Sequence, residues 1–245
     1  MLSIVIPTRD RAATLAETLS CVLAQRAPAG GFEVVVVDNG STDRTPELLL
    51  QLAADHGPRF RHVLEQRPGP AAARNAGVAA ARGELVMFLG DDMEPATDDL
   101  LLDHVALHQR HPEPEYAVLG RVAWNERLPV TPLMRWLETG PQFAFELLEP
   151  GPVEPSAYLY TAQLSLKRAV FESVGGFDTR FPYAAVEDME LGIRLAAKGL
   201  ILDYRPELLV LHTHPTPLAR WLERMRLTGR SVALLERIHP EPSSP

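Results

Sequence analysis

The sequence predicts an α/β protein built on a doubly wound, mostly parallel sheet with helices on both faces. Three observations carry that expectation. Leu85–Leu89 is an unbroken apolar run that stops at Gly90 and delivers Asp91 and Asp92. Phe32–Asp38 reads as a second buried strand, and it too ends on an acid. Helical patterns separate the runs, and continuous apolar strands suit a sheet covered on both sides. In open sheets of this kind ligands bind beyond the carboxyl ends of the strands, where those acids would sit.

In order, residues 2–7 read as a short buried strand running into Pro7-Thr-Arg-Asp10, and residues 14–25 as a helix with Leu15, Leu19, Val22 and Leu23 on its apolar side. Cys21 belongs to that helix as inert packing. Gly30-Gly31 turns the chain into the second strand, and Asn39-Gly40-Ser41-Thr42-Asp43 leads into a helix over 45–56. Residues 60–65 alternate apolar and polar, as at a sheet edge. Gly69-Pro70 opens an alanine-rich helix carrying Arg74, Asn75 and Gly77. The first ninety residues thus read β-α-β-α-β-α-β, a nucleotide-binding half.

Beyond it, residues 97–111 are expected to be helical. His104, His108 and His111 lie there on a solvated flank, since three ligands on one isolated helix make a poor metal site. Residues 116–122 read as a strand. The proline-rich stretch 124–157 reads as a long excursion over the sheet, of the kind that carries function. Residues 158–166 read as a strand, followed by a short helix over 168–174, the turn Gly175-Gly176-Phe177-Asp178 and a helix from Glu187 to Gly199. That last helix has acids in its first turn. Two strands follow, 200–204 and 208–211, the second ending in His212-Thr-His214. A basic amphipathic helix covers 218–239. The expected organisation is a single domain over 1–245: a nucleotide-binding half (1–92), an acceptor and catalytic half (93–216) and the terminal helix (217–239).

Composition narrows the function. With 46% hydrophobic and 23% charged residues the chain has a globular profile. Its net charge of −8 argues against a nucleic-acid partner. A lone cysteine excludes an intrachain disulfide. No apolar run reaches membrane-spanning length, and the first residues do not read as a signal peptide, so a cytoplasmic location is expected.

The residues have chemistry of their own. Two adjacent carboxylates at a strand end repel unless something holds them, and Mg²⁺ or Mn²⁺ with a substrate phosphate is the simplest reason; solvated loop acids or a helix cap are the plain alternative. Asp38, beside a turn, can accept a hydrogen bond from a base N–H, or it can simply close the turn. Arg74, in the first turns of its helix, suits a phosphate or base contact, or an exposed helix position.

The order of motifs adds what none gives alone. A strand running into Pro7-Thr8, Val-Val-Asp38-Asn-Gly-Ser-Thr-Asp43, Ala73-Arg-Asn-Ala-Gly77, Phe88-Leu-Gly-Asp-Asp92, Gly175-Gly-Phe-Asp178, Glu187-Asp188 and a late His212 together closely resemble the family 2 inverting glycosyltransferases of the GT-A fold, over roughly residues 2–230. The resemblance implies transfer of a sugar from a nucleoside-diphosphate donor, with uracil as the usual base, to an acceptor hydroxyl with Mn²⁺ or Mg²⁺. It implies Pro7, Thr8, Arg9, Asp38, Arg74 and Asp91 around the nucleotide, Asp92 and His212 (or His214) on the metal, Asp188 as general base and Glu187 orienting the acceptor. Gly90 departs from the family's Asp-x-Asp pattern, which removes one carboxylate. Gln163 stands where many relatives have asparagine.

Aromatic residues 124, 136, 143, 145, 158 and 160 suit either a carbohydrate or lipid-linked acceptor or a core under a long loop. The terminal helix, with Arg220, Arg224, Arg226, Arg230 and Arg237 among apolar residues, suits packing on the sheet or peripheral contact with the inner face of a membrane. Two other functions share the fold: a non-catalytic sugar-nucleotide or glycan-binding protein, and a nucleotidyltransferase. The latter lacks its glycine-rich stretch after the first strand.

Overall fold

A computed structural model describes residues 1–140, 142 and 144–240. The first half follows the sequence closely. Strand β1 (Leu2–Thr8), helix α1 (Ala12–Leu23), β2 (Phe32–Asp38), α2 (Thr45–His56), β3 (Phe60–Leu64), α3 (Pro70–Ala80) and β4 (Leu85–Leu89) alternate as expected. β2 and β4 are buried at every residue, so both faces of the sheet are covered there. That burial explains why Val, Leu, Phe and Met dominate these strands, with Glu33 and Asp38 of β2 the exceptions. Gly69 takes φ +113° ahead of Pro70, and a Cβ there would meet the Pro182 carbonyl oxygen at 2.8 Å, so only glycine fits this entry to α3.

The second half comprises β5 (Met93–Pro95), α4 (Leu100–Arg110), β6 (Tyr116–Trp124), α5 (Pro132–Glu138), β7 (Gly151–Val153), α6 (Pro155–Tyr158), β8 (Gln163–Lys167), α7 (Arg168–Ser173), α8 (Glu187–Ala196), β9 (Ile201–His212) and α9 (Leu218–Ile238). The strands form one sheet in the order β3-β2-β1-β4-β8-β6-β9-β5, with β7 also on β9. β1, β2, β3, β4, β6 and β9 run one way, while β5, β7 and β8 run against them. The sheet is therefore mostly parallel, and β3 is its edge strand as its alternating pattern foretold.

Four expectations change. The strand expected over 158–166 begins only at Gln163, because Pro155 and the Glu154 side-chain cap start a helical turn that ends at Tyr158. The two strands expected over 200–211 are one, with a register shift between Gly120 and Arg121 on β6 opposite the stretch around Pro206. Proline cannot donate to the ladder, and the bulge absorbs it. The excursion over 124–157 contains α5, β7 and most of α6.

The fourth change concerns the histidines. His104 and His108 are buried, not solvated: both reach the Ser165 hydroxyl, at 2.8 and 2.9 Å. Burial pushes each imidazole down to about 3, so both are neutral hydrogen-bonding core groups. Gln163 is fully buried against His104 and belongs to this core cluster as well.

α9 packs through Trp221 onto Trp124, Met134 and Leu137 as a second small core. Its arginines remain exposed. Among the described residues no helix is long and apolar enough to cross a membrane.

Candidate active site

The parallel strands all end at one rim, and that brings distant residues together. Thr8 ends β1 opposite Asp38 at the end of β2, and β4 pairs with β1 on its other side. Thr8 Oγ donates to Asp91 Oδ2 at 2.7 Å, and the Thr18 hydroxyl of α1 donates to the Asp91 carbonyl at 3.0 Å. Asp38 is buried and accepts the Ser41 N–H at 2.8 Å, closing the turn that follows β2. The Asn39 amide ties three segments at this rim, donating to the carbonyls of Glu65 and Arg67 and accepting from Gly69 N–H. Pro7 lies within β1, and Arg9 projects outward with Nε 3.5 Å from Asp10.

Asp92 and His212, 120 positions apart, meet because β5 pairs antiparallel with the end of β9, placing Met93 opposite His212. Thr213 N–H donates to the Asp92 carbonyl at 2.9 Å and straps the two corners. His212 Nε2 lies 3.5 Å from Asp92 Oδ2, and the Trp124 ring packs edge-on against the imidazole at 4.7 Å. His214 is directed elsewhere, toward Arg220 on α9.

Arg11, just ahead of α1, bridges both acids: Nη1 is 3.0 Å from Asp91 Oδ1 and 2.6 Å from Asp92 Oδ2. Burial, reinforced by the Asp92 charge, pushes the Asp91 carboxyl up to about 6 against the pull of Arg11. Burial also works against ionised Asp92, but the charges of His212 and Arg11 outweigh it and hold that carboxyl below its ordinary value.

The other carboxylate pair sits on α8. Its N-cap, Val186, has φ +75°, a left-handed conformation that a β-branched residue rarely adopts. This kink presents Glu187 and Asp188 in the first turn. Glu187 Oε1 accepts from Arg74 Nη1 at 2.7 Å, while Glu187 Oε2 and Arg74 Nε have no partner among the described residues. Because α3 starts at the carboxyl-end rim, this bond fixes α8 there as well. Arg74, expected on phosphate or base, is held by Glu187 here. Asp188 keeps a small opening to solvent, yet the surrounding protein, with the Glu187 charge, pushes its carboxyl up to about 7 despite Arg74. Arg224 on α9 lies near enough to act on both Asp188 and His212. Both acidic pairs thus lie toward the carboxyl-end rim of the sheet.

Among the aromatic candidates, Trp124 is buried beside His212, and Phe145 stacks between Tyr160 and Tyr204. Trp136 is half-exposed against Trp221. Phe143 lies outside the described residues.

Arg11, Thr18, Asn39 and Arg224 were missed as site residues from the sequence. A signal existed for Arg11: two adjacent buried acids require a cation, and it stands just after the first strand.

The donor set fits a divalent cation completed by a substrate. Asp92 Oδ2 and His212 Nε2 supply one oxygen and one imidazole nitrogen, both buried and facing each other. Among the described residues no group of three or more His, Cys, Asp or Glu could hold a metal without such completion.

The fold and this rim define a class of mostly parallel α/β proteins with acids at the carboxyl ends of the strands, and sequence comparison names the family. The profile of glycosyl transferase family 2 matches residues 3–159, and the chain belongs to that family. It is 29% identical to the pre-mycofactocin glycosyltransferase of Mycobacterium tuberculosis over 256 aligned positions, covering 99% of this chain and 49% of that protein. It is 32% identical to the validoxylamine A glucosyltransferase of Streptomyces hygroscopicus subsp. jinggangensis, covering 82% of this chain and 52% of the relative. The chain thus spans about half the length of these curated relatives. In fold it is similar to the mannosyltransferase PcManGT of Pyrobaculum calidifontis, solved with GDP-Man and Mn²⁺, at a TM-score of 0.72 and 23% identity, covering 100% of this chain and 65% of that one. The S. aureus TarS fragment solved with UDP-GlcNAc gives 0.68 at 19% identity, over 88% and 59% of the two chains.

Proposed function

We propose that the chain catalyses inverting, metal-dependent transfer of a sugar from a nucleoside-diphosphate donor, UDP in the first instance, to an acceptor hydroxyl. What supports this reading is the Arg74–Glu187 bond, which seats the start of α8, and Asp188 with it, beside the start of α3 at the end of the sheet where Asp92 faces His212. Asp38 and Thr8 border the nucleotide, with Pro7, Arg9 and Asp91 beside them. Asp92 and His212 would hold Mn²⁺ or Mg²⁺, which when bound would supply Lewis-acid neutralisation of charge on the departing diphosphate. Asp188 takes the acceptor hydroxyl proton as that oxygen attacks the anomeric carbon, and a carboxyl near 7 suits that task at neutral pH. Glu187, fixed by Arg74 through one oxygen, keeps the other for an acceptor hydroxyl. Binding both substrates across one rim supplies proximity.

The acceptor, a carbohydrate or a lipid-linked one, enters along residues 124–160. A location on the inner face of a membrane is supported by α9, whose exposed Leu218, Leu222 and Val232 adjoin exposed Arg226, Arg230 and Arg237.

The test is a thermal-shift and turnover panel of UDP-, GDP- and TDP-sugars with and without Mn²⁺, with NMR assignment of the product anomer. Uridine compounds should stabilise the protein most, and the product should be inverted. Binding without turnover of any donor, even by slow hydrolysis, and indifferent to Asp188→Asn would establish a binding protein instead.

A further inference from the structure

The cleft already contains a cation at the oxygen the metal would use. Arg11 Nη1 touches Asp92 Oδ2 at 2.6 Å, and that same oxygen faces His212 Nε2 at 3.5 Å. A divalent ion needs this oxygen at about 2.1 Å, while a guanidinium needs about 2.8 Å, and the two charges repel. The oxygen has lone pairs for both, but each cation weakens the hold of the other there. Gly90 removes the slack a third acid would provide, since a Cβ there would meet Met93 Cγ at 2.9 Å and Asp92 Oδ1 at 3.1 Å. Two carboxylates are therefore already half-neutralised by one arginine before any metal arrives.

Arg11 is also built to leave. It precedes α1 with non-helical backbone (φ −140°, ψ 36°), follows Asp10 at φ +52°, and its side chain is 26% exposed. Only Nη1 touches the two carboxylates, whereas the whole planar fork matches a pair of phosphate oxygens.

We propose that Arg11 is a resident counter-ion that guards the Asp92–His212 position and moves onto the donor diphosphate when it binds, releasing Asp92 to the metal. Metal entry is thereby coupled to nucleotide entry. The inference rests on the reading of Asp92 and His212 as the metal-holding pair. It assigns Arg11 as a positioning residue whose removal strengthens one binding step instead of weakening it.

Mn²⁺ titration of the full chain, followed by electron paramagnetic resonance without nucleotide, tests it. Arg11→Gln should bind Mn²⁺ about tenfold more tightly than the parent, within the range of ordinary coupling between sites. Arg11→Lys, which keeps the charge, should stay near the parent. The gain should vanish in Arg11→Gln/Asp92→Asn, and UDP or GDP should tighten Mn²⁺ binding less in Arg11→Gln than in the parent. Circular dichroism checks that each variant is folded, and Arg11→Met, which also lacks the charge and should show the same gain, carries the comparison if Arg11→Gln is not.

Asp92-dependent Mn²⁺ binding that Arg11→Gln leaves equal or weaker overturns the counter-ion role and leaves the wider reading standing. Mn²⁺ binding that is indifferent to Asp92→Asn, with or without nucleotide, overturns both.

Discussion

The two ends of the sheet hold buried carboxylates of opposite character. At the amino end Glu33 of β2 is 2% exposed, and its Oε1 accepts from the Ser3 hydroxyl at 2.7 Å and the Arg82 N–H at 2.6 Å. Both donors are neutral, and Arg61 Nη1 lies 3.9 Å from the other oxygen, Oε2, so this lone acid has a cation of its own. At the carboxyl end Asp91 and Asp92 share one guanidinium, and Asp188, beside Glu187, is pushed up to about 7. Cavity size does not mark the difference, since a hollow of about 610 Å³ lies at the amino end, lined by Arg82, Glu84, His108 and Lys167 among others. A lone acid with its own donors and cation holds the fold together, whereas crowded acids sharing too few cations store free energy for a ligand to release.

The sharpest way to break this contrast is Asp188→Asn. Transfer should fall by about 10²–10⁴-fold, the usual weight of a general base. The melting temperature should rise by about 2–4 °C at pH 8, because a carboxyl raised in the folded state stabilises less as the pH climbs. A turnover assay beside a thermal melt checks both, and a lowered melting temperature with full activity would reverse the assignment.

The pH profile comes next. Asp188 must be ionised to act, so the rate should climb about tenfold per unit below pH 7 and level off above it. Stability should move the other way between the unfolded and folded values, falling as the pH rises from about 4 to 7. A profile without a limb near 7 would remove Asp188 from the role.

At the opposite rim, Glu33→Ala should cost about 1–3 kcal/mol by stranding the Ser3 hydroxyl and the Arg82 N–H. Denaturant unfolding reads that loss, and activity per folded molecule should be unchanged. The smallest effect is expected from Ser165→Ala, about 1 kcal/mol, since two neutral imidazoles lose one shared hydroxyl. Unaltered donor affinity in that variant would confirm that these histidines belong to the core.

The first half of the fold was legible because its strands are continuous apolar runs punctuated by Gly, Pro and Asp, signals that act within a few residues. The meeting of Asp92 with His212 and the place of Asp38 at a strand end were legible through the ordered motifs and the rule that parallel strands end together. Elsewhere the deciding partner is remote. His104 reads as a surface residue until Ser165, 61 positions on, is placed against it. Pro206 reads as a break between strands until β6 holds β9 on both sides of a bulge at 206–208, from Arg205 to Leu209. Arg74 reads as a free cation until the left-handed turn at Val186 brings Glu187 to it. None of these pairings leaves a periodic trace in the sequence.

The short ladder between β5 and β9 limits how this chain can be lengthened. Met93 faces His212 within a pairing of three residues, so a single residue inserted at 93–95 would rotate successive side chains to the other side of the pleat and turn Asp92 away from the imidazole. The linker 214–217 bears no such restriction. Scanning insertions should therefore leave a narrow intolerant window at 92–95, flanked by tolerant segments.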